Sequence, residues 1–241
     1  MFSFKKNIID SGILHGMYDV HTHILPGVDD GVQSTEESLA ILYYYEGLGM
    51  TKVIFTPHIM EDVPQSLPDL RQRFENFKSV YNGNLELSLA AEHMLDSSFF
   101  SLLEKGDLLT LWDNYLLVEM SYAQCVVNIF DCVKRIMSKG YFVVLAHPER
   151  YLYLKQKEYK RLKDMGVLFQ LNLTAMFGAY GDGVKKNAQY LLESEYYDLV
   201  GTDIHNLIRL SKFMNEAKLS KKHIRLIQTI KEKSKKLINE I

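Results

Sequence analysis

Seven short apolar runs recur along the chain, at residues 18–24, 51–58, 85–93, 115–120, 141–148, 167–173 and 198–205. Most are rich in β-branched and aromatic side chains, the composition of strands. They are apolar without strict alternation, which predicts a parallel sheet buried on both faces. The stretches between them carry helical periodicity. Ser34-Thr35-Glu36-Glu37 has the form of a capping box, with Ser34 as N-cap and Glu37 three residues on. It opens a helix through Leu39, Ile41, Leu42 and Tyr45 that ends near Gly47 or Gly49. Further helices are predicted over 67–81, 126–139, 158–165, 185–195 and 221–241. Strand and helix alternate, so the expected class is α/β with right-handed crossovers.

A second pattern lies at the strand ends. The first run closes on His21 and His23, the second on Thr56-Pro57-His58, the third on Glu92-His93 and the fourth on Glu119. The fifth closes on His147-Pro148-Glu149-Arg150, the sixth on Asn172 and the seventh on Asp203-Ile204-His205. In a parallel barrel the C-terminal strand ends form one face, where catalytic groups collect. Seven strands point to an incomplete or distorted barrel rather than the usual eight. One domain over 1–241 is expected, with an N-terminal extension at 1–16 and a lysine-rich amphipathic helix at 221–241 whose Ile and Leu face packs on the barrel.

Residues i and i+2 of a strand share a face, so His21 and His23 can meet one metal ion. Asp29 and Asp30 follow in a Pro/Gly-rich turn and can return to the same place. With His58, Glu92, Glu119, His147, Asp203 and His205 at the other strand ends, a metal centre is the expected chemistry. His15 and His223 read as ordinary surface or core residues, and His93, next to Glu92, should point the opposite way. Mixed imidazole and carboxylate donors with no placed thiolate suit Mn²⁺, Fe²⁺ or Zn²⁺. Carboxylates can bridge, so the set can hold two or three ions; ions about 3.5–4 Å apart suit in-line phosphoester hydrolysis.

Composition narrows the surroundings. A formal net charge of -2 over 241 residues gives no electrostatic case for wholesale nucleic-acid binding. There is no apolar run of about 18 residues, so no membrane insertion is expected. The stretch after Met1-Phe2-Ser3-Phe4-Lys5-Lys6 is too short for a signal peptide. Two cysteines, Cys125 and Cys132, build no disulfide framework, and the expected location is cytoplasmic. Oligomeric state is not readable from the chain.

At this point a resemblance enters. The motifs Asp19-Val20-His21-Thr22-His23-Ile24-Leu25-Pro26-Gly27-Val28-Asp29-Asp30-Gly31, Thr56-Pro57-His58, Ala91-Glu92, Leu117-Val118-Glu119, Ala146-His147-Pro148-Glu149-Arg150-Tyr151 and Thr202-Asp203-Ile204-His205-Asn206 occur in order from residue 19 to about 209. They resemble the polymerase and histidinol phosphatase (PHP) superfamily. More narrowly, they are similar to the bacterial manganese-dependent protein-tyrosine phosphatases of capsule and exopolysaccharide synthesis. The first and fifth motifs are specific to that branch; elsewhere in the superfamily the position of Asp30 is commonly histidine. The resemblance implies a distorted (β/α)7 TIM-like barrel of PHP type with a trinuclear, manganese-preferring site. His21, His23, Glu92 and Asp203 would hold the first ion. Glu92 would bridge to a second, completed by Glu119 and His147, and Asp30, His58 and His205 would hold the third. It further implies phosphate binding by Arg150 and Arg209, suited to it because a guanidinium takes two phosphate oxygens at once. The expected reaction is attack of a metal-bridging hydroxide on a phosphotyrosine. The substrate protein implied is a bacterial tyrosine kinase that controls polysaccharide synthesis.

Cysteine-based tyrosine phosphatases place an Arg six residues after the nucleophile. Here Asp131 follows Cys125 and Ser138 follows Cys132 at that spacing, which excludes the mechanism. Competing readings are a small-molecule phosphomonoesterase acting on a substrate such as histidinol phosphate, a nuclease of the same superfamily, an amidohydrolase, and a non-catalytic phosphotyrosine-binding protein. Balanced charge argues against the nuclease. Glu119, in place of a carboxylated lysine, argues against the amidohydrolase. Tyr122, Met176, Phe177 and Tyr180 follow strand ends and are candidates to line a pocket for an aromatic ring.

Overall fold

A computed structural model of the chain describes residues 5–124 and 127–239. In chain order the strands are β1 (Lys5–Asn7), β2 (Tyr18–Thr22), β3 (Lys52–Phe55), β4 (His58–Ile59), β5 (Glu86–Leu89), β6 (Glu92–Met94), β7 (Tyr115–Glu119), β8 (Phe142–Leu145), β9 (Leu168–Asn172), β10 (Leu199–Gly201) and β11 (Lys218–Ser220). The helices are α1 (Thr35–Gly47), α2 (Leu67–Val80), α3 (Ser97–Lys105), α4 (Ile129–Ser138), α5 (Gln156–Asp164), α6 (Asp182–Glu193), α7 (Leu207–Glu216) and α8 (Lys221–Asn239). Short 3₁₀ turns cover Pro148–Arg150 and Leu173–Phe177.

The seven apolar runs form the strands of a curled parallel sheet, neighbouring one another in chain order. β2, β3 and β5 pair in parallel, and β4, β6, β7, β8, β9 and β10 form a second parallel series. The second and third runs, expected as single strands, are each broken in two. Pro57 has no N–H to give to a ladder. Pairing nonetheless continues across the break, with Ala90 N donating to Phe55 O and Glu92 N to Pro57 O. At the far side the curl returns on itself: Thr22 bridges Ile204, His23 N donates to Ile204 O at 3.0 Å, and Asp203 N to His21 O at 2.9 Å. Asp19, fully buried, accepts from Thr202 N at 2.9 Å and from Thr202 Oγ1 at 2.6 Å, which ties the first strand to the last.

Two apolar clusters result. A small one inside the curl gathers Val20, Ile54, Ala90, Leu117, Val144 and Leu199, one from each of six runs. A large one fills the layer between sheet and helices. The strand period carries the inner column upward from apolar to polar: Ile54 to Thr56 and His58, Ala90 to Glu92, Leu117 to Glu119, and Leu199 to Gly201 and Asp203. On the first strand the pairing register shifts between Asp19 and Thr22, an irregularity of the kind that re-aims side chains. It lets Val20 join the inner cluster while His21 and His23 enter the site above it.

Several local expectations need revision. Ser34 does cap α1, accepting from Glu37 N, but the Glu37 carboxylate accepts from Leu207 N rather than closing a capping box. It thereby fixes the start of α7, a helix the periodicity did not announce. α3, β1 and β11 were equally unannounced. α4 begins at Ile129 with Asn128 as its cap. The predicted start at 126, like Cys125, falls outside the described residues; Cys132 is buried on α4. α6 begins earlier than expected, at Asp182. α8 buries Ile224, Ile227 and Ile230, the apolar face expected of it. No helix among the described residues is long and apolar enough to cross a membrane.

α8 is also held by charge. Asp198, almost wholly buried, accepts from Phe169 N at 2.7 Å, from Lys233 Nζ of α8 at 2.6 Å and from Lys163 Nζ. Removing the carboxylate leaves a buried N–H and a lysine without their acceptor. Asp198→Ala is expected to destabilise by about 3 kcal/mol, read as the shift in a urea unfolding midpoint; an unchanged midpoint would contradict this account of the α8 anchor.

Candidate metal centre

Five imidazoles and four carboxylates converge at the C-terminal ends of the strands. His21 Nε2 lies 3.1 Å from His23 Nε2 and 3.2 Å from Glu92 Oε2. Asp203 Oδ1 is 3.5 Å from His21 Nε2 and 3.4 Å from His23 Nε2. His147 Nε2 stands 2.9 Å from Glu92 Oε1 and 3.8 Å from Glu119 Oε2. His58 Nδ1 lies 3.1 Å from both Glu92 Oε2 and Glu119 Oε1, and its Nε2 3.5 Å from Asp30 Oδ1. His205 Nε2 is 3.6 Å from the same Asp30 oxygen. Seven of the nine candidate ligands fall into three overlapping groups, each within 4.8 Å: His21, His23 and Glu92; His58, Glu92 and Glu119; His23, Asp30, His58 and His205. Every one of the nine expected ligands reaches the cluster. The grouping differs from the one the resemblance implies: His58 turns one ring nitrogen to each side, and Asp203 and His147 stand next to the groups rather than in them.

The donors suit divalent cations for two structural reasons. First, His58 Nδ1, both Glu92 oxygens and Glu119 Oε1 are buried without a hydrogen-bond partner, although oppositely charged atoms stand close by. Side chains that converge on a point rather than on one another are what a metal requires, and orphaned buried atoms are otherwise costly. Second, the outer ring nitrogens are tied down. His21 Nδ1–H donates to Gln170 Oε1 and His23 Nδ1–H to Asp29 Oδ2, each at 2.9 Å. Those bonds fix the tautomer and aim both Nε2 lone pairs inward. Asp29 also accepts from His58 N and Gly31 N, and Gln170 Oε1 from His147 N. The turn does return Asp29 to the site, as expected, although it orients His23 there; the role of Gln170 escapes sequence reading, its one signal being a lone glutamine inside an otherwise apolar run.

Burial alone would keep the imidazoles neutral, yet Glu92 and Asp203 overcome it and raise His21 above its usual pKa. His23 is raised further, by Asp203, Asp29 and Glu92. For His58, burial and the neighbouring His23 are outweighed by Glu119 and Glu92, which push it to about 10. Burial would raise Glu92 and Asp203, but the imidazoles, His21 foremost, hold both well below the carboxylate range. His93 behaves otherwise: buried, it donates from Nε2 to Leu109 O and is lowered to about 4 by desolvation.

Backbone strain accompanies the ligands. His147 and Asp203 both take the left-handed region, at φ 32° and 53°, which non-glycine residues rarely adopt. Close packing adds to it. A Cβ on Gly201 would stand 2.6 Å from His21 Cβ, and one on Gly31 2.0 Å from His23 O. Gly201→Ala is expected to displace His21, cost roughly 1–3 kcal/mol and weaken metal uptake; calorimetric metal titration and thermal melting read both, and wild-type values would refute the tight fit.

The two arginines part company. Arg150 lies at the site, its Nη1 3.7 Å from Asp203 Oδ2. Arg209 is exposed in the first turn of α7, and among the described residues its side chain makes no ion pair or hydrogen bond. Tyr180 donates to Asp203 Oδ2 at 3.0 Å, and Asn172 Nδ2 donates to the same oxygen at 2.7 Å. Met176 is buried in the apolar layer, and Phe177 packs edge-on against Phe213, so neither supplies an open wall.

A family model described as capsular polysaccharide synthesis, CpsB/CapC, matches residues 17–232. Tyrosine-protein phosphatase CpsB of Streptococcus pneumoniae is 30% identical over 213 residues, covering 83% of this chain and 88% of that protein. Tyrosine-protein phosphatase YwqE of Bacillus subtilis is 25% identical over 198 residues, covering 79% of this chain and 78% of that protein. Among solved structures, a chain from the crystal structures of Bacillus subtilis YwqE and Streptococcus pneumoniae CpsB, described there as unique metal-dependent tyrosine phosphatases, superposes with a TM-score of 0.71 at 24% identity. It covers 90% of this chain and 95% of that one.

Proposed function

Because the chain belongs to the capsular polysaccharide synthesis CpsB/CapC family, we propose that it is a metal-dependent tyrosine-protein phosphatase, built as one PHP-type distorted (β/α)7 barrel. Its substrate is a phosphotyrosine protein, in this reading a tyrosine kinase of capsule or exopolysaccharide synthesis. The observation that carries the reading is the three-part ligand cluster with its orphaned buried atoms, beside Arg150 at the rim.

His21, His23, Asp30, His58, Glu92, Glu119, His147, Asp203 and His205 would hold two or three ions. Mn²⁺ is our assignment, and Fe²⁺ and Zn²⁺ also suit the donors. When bound, such ions polarise the phosphoryl oxygens and activate water for in-line displacement. The chain's own groups do the rest. Gln170 and Asp29 orient the two histidines. Arg150 offers a fork for two phosphate oxygens and neutralises the charge that builds on them. The leaving phenolate is weakly basic, so no strong general acid is required. Arg209, exposed in the first turn of α7, is the second candidate for phosphate contact.

The deciding experiment is hydrolysis of a phosphotyrosine peptide by metal-stripped protein reloaded with Mn²⁺, Fe²⁺ or Zn²⁺, with histidinol phosphate and single-stranded DNA alongside. Metal-dependent phosphate release from the peptide supports the reading. Activity on the small phosphate or the DNA alone replaces the substrate, and bound metal without turnover favours a phosphotyrosine-binding protein.

Metal uptake should depend on pH. His21, His23 and His58 are raised above the usual imidazole pKa by the neighbouring carboxylates, His58 to about 10, so an ion that takes these three must compete with protons. Apparent affinity is expected to climb with pH by about tenfold per unit for each proton displaced. Equilibrium dialysis with Mn²⁺ at several pH values, read with the proton release in unbuffered solution, tests it; pH-independent affinity would contradict the protonated empty site.

A further inference from the structure

The Arg150 guanidinium is held between two aromatic rings, 4.5 Å from the ring centre of Tyr122 and 4.6 Å from that of Tyr180. The two tyrosines differ in setting. Tyr180 is mostly buried and anchored by its hydroxyl to Asp203. Tyr122 follows β7, the strand that ends in Glu119, and is 62% exposed. Nothing in the core accounts for a large aromatic ring left so open, and its partner is a cation that itself is only 18% exposed. A guanidinium has five donors and a long flexible stem, and between two ring faces its plane is set. One edge then meets Asp203, and the remaining donors are left for an anion beside the ligand cluster.

We propose that Tyr122 is a positioning residue for phosphate recognition: with Tyr180 it clamps the Arg150 guanidinium and aims it at the phosphate group of the substrate. This rests on the phosphatase reading for its physiological meaning, but the clamp acts on the phosphate group itself. It can therefore be tested with inorganic phosphate, whatever ester is the substrate. Tyr122 needs only its ring face. Its hydroxyl is dispensable, and an aliphatic side chain of similar bulk cannot replace it.

The test uses full-length Mn²⁺-loaded protein and calorimetric binding of inorganic phosphate. Tyr122→Leu is expected to weaken phosphate binding about fivefold to tenfold, with metal stoichiometry and melting temperature as in wild type, and Tyr122→Phe to restore affinity to within about twofold. In an Arg150→Ala background, Tyr122→Leu should cost nothing more, because the effect runs through the guanidinium. Phosphate binding unchanged in Tyr122→Leu overturns the proposal. So does an equal loss in the presence and absence of Arg150, which would give Tyr122 a direct contact instead. Wild-type turnover of the phosphotyrosine peptide, measured in parallel, reports on the phosphatase reading alone.

Discussion

Glu92→Gln is expected to lower phosphotyrosine-peptide hydrolysis by about a thousandfold or more, several kcal/mol of lost transition-state stabilisation. The carboxylate is the hub of the cluster: one oxygen faces His21, His23 and His58, the other His147. It is fully buried, and neither oxygen has a hydrogen-bond partner. It belongs to two of the three ligand groups, so its loss compromises two ions together. An amide keeps the volume and removes the charge, which separates ligand chemistry from packing. The measurement is metal content by mass spectrometry together with kcat and KM. A full complement of metal and near wild-type turnover in the variant would rule out Glu92 as a bridging ligand.

Arg150→Ala is the second large effect, with an expected drop in kcat/KM of about a hundredfold at unchanged metal content. Among the described residues the guanidinium pairs with the cluster at Asp203, at 3.7 Å, so its removal should spare metal binding while depriving the phosphate of its fork. Arg150→Lys keeps a charge but loses two-pronged geometry and the planar stack, and should recover only part of the loss. Steady-state kinetics with parallel metal analysis checks both variants. Loss of metal in Arg150→Ala would mean that the residue holds the site together instead of reading the substrate. Arg209→Ala is the useful contrast: exposed and unpaired among the described residues, it should change kcat/KM far less.

The strands and their polar ends were legible in the sequence because both follow from local periodicity. A buried parallel strand must be apolar, and a polar residue at its mouth interrupts that run in a visible place. His21, His58, Glu92, Glu119, His147 and Asp203 all announce themselves this way. What the chain does not show locally is whatever depends on a partner far off. The Glu37 carboxylate reads as half of a capping box until α7 arrives from 170 residues away to take it. Gln170 acquires meaning only when the curl brings His21 against it, 149 positions away in the chain, whereas Asp29 is returned to His23 by the local turn. β1 and β11, three residues each, have no pattern of their own and exist because they pair with each other. The break at Pro57 was visible as a residue, but its outcome, continued pairing through carbonyls on either side, was not.

The return of the last strand to the first has a kinetic meaning. Asp19 meets Thr202 across 183 positions of chain, and contacts this distant form slowly because loop closure comes before any reward. The candidate ligands straddle this seam, with His21 and His23 on one side and Asp203 and His205 on the other. A cation seated among them would staple this seam, so chelator is expected to hasten unfolding by releasing it, and refolding is expected to become faster when metal is already in solution to join the two edges.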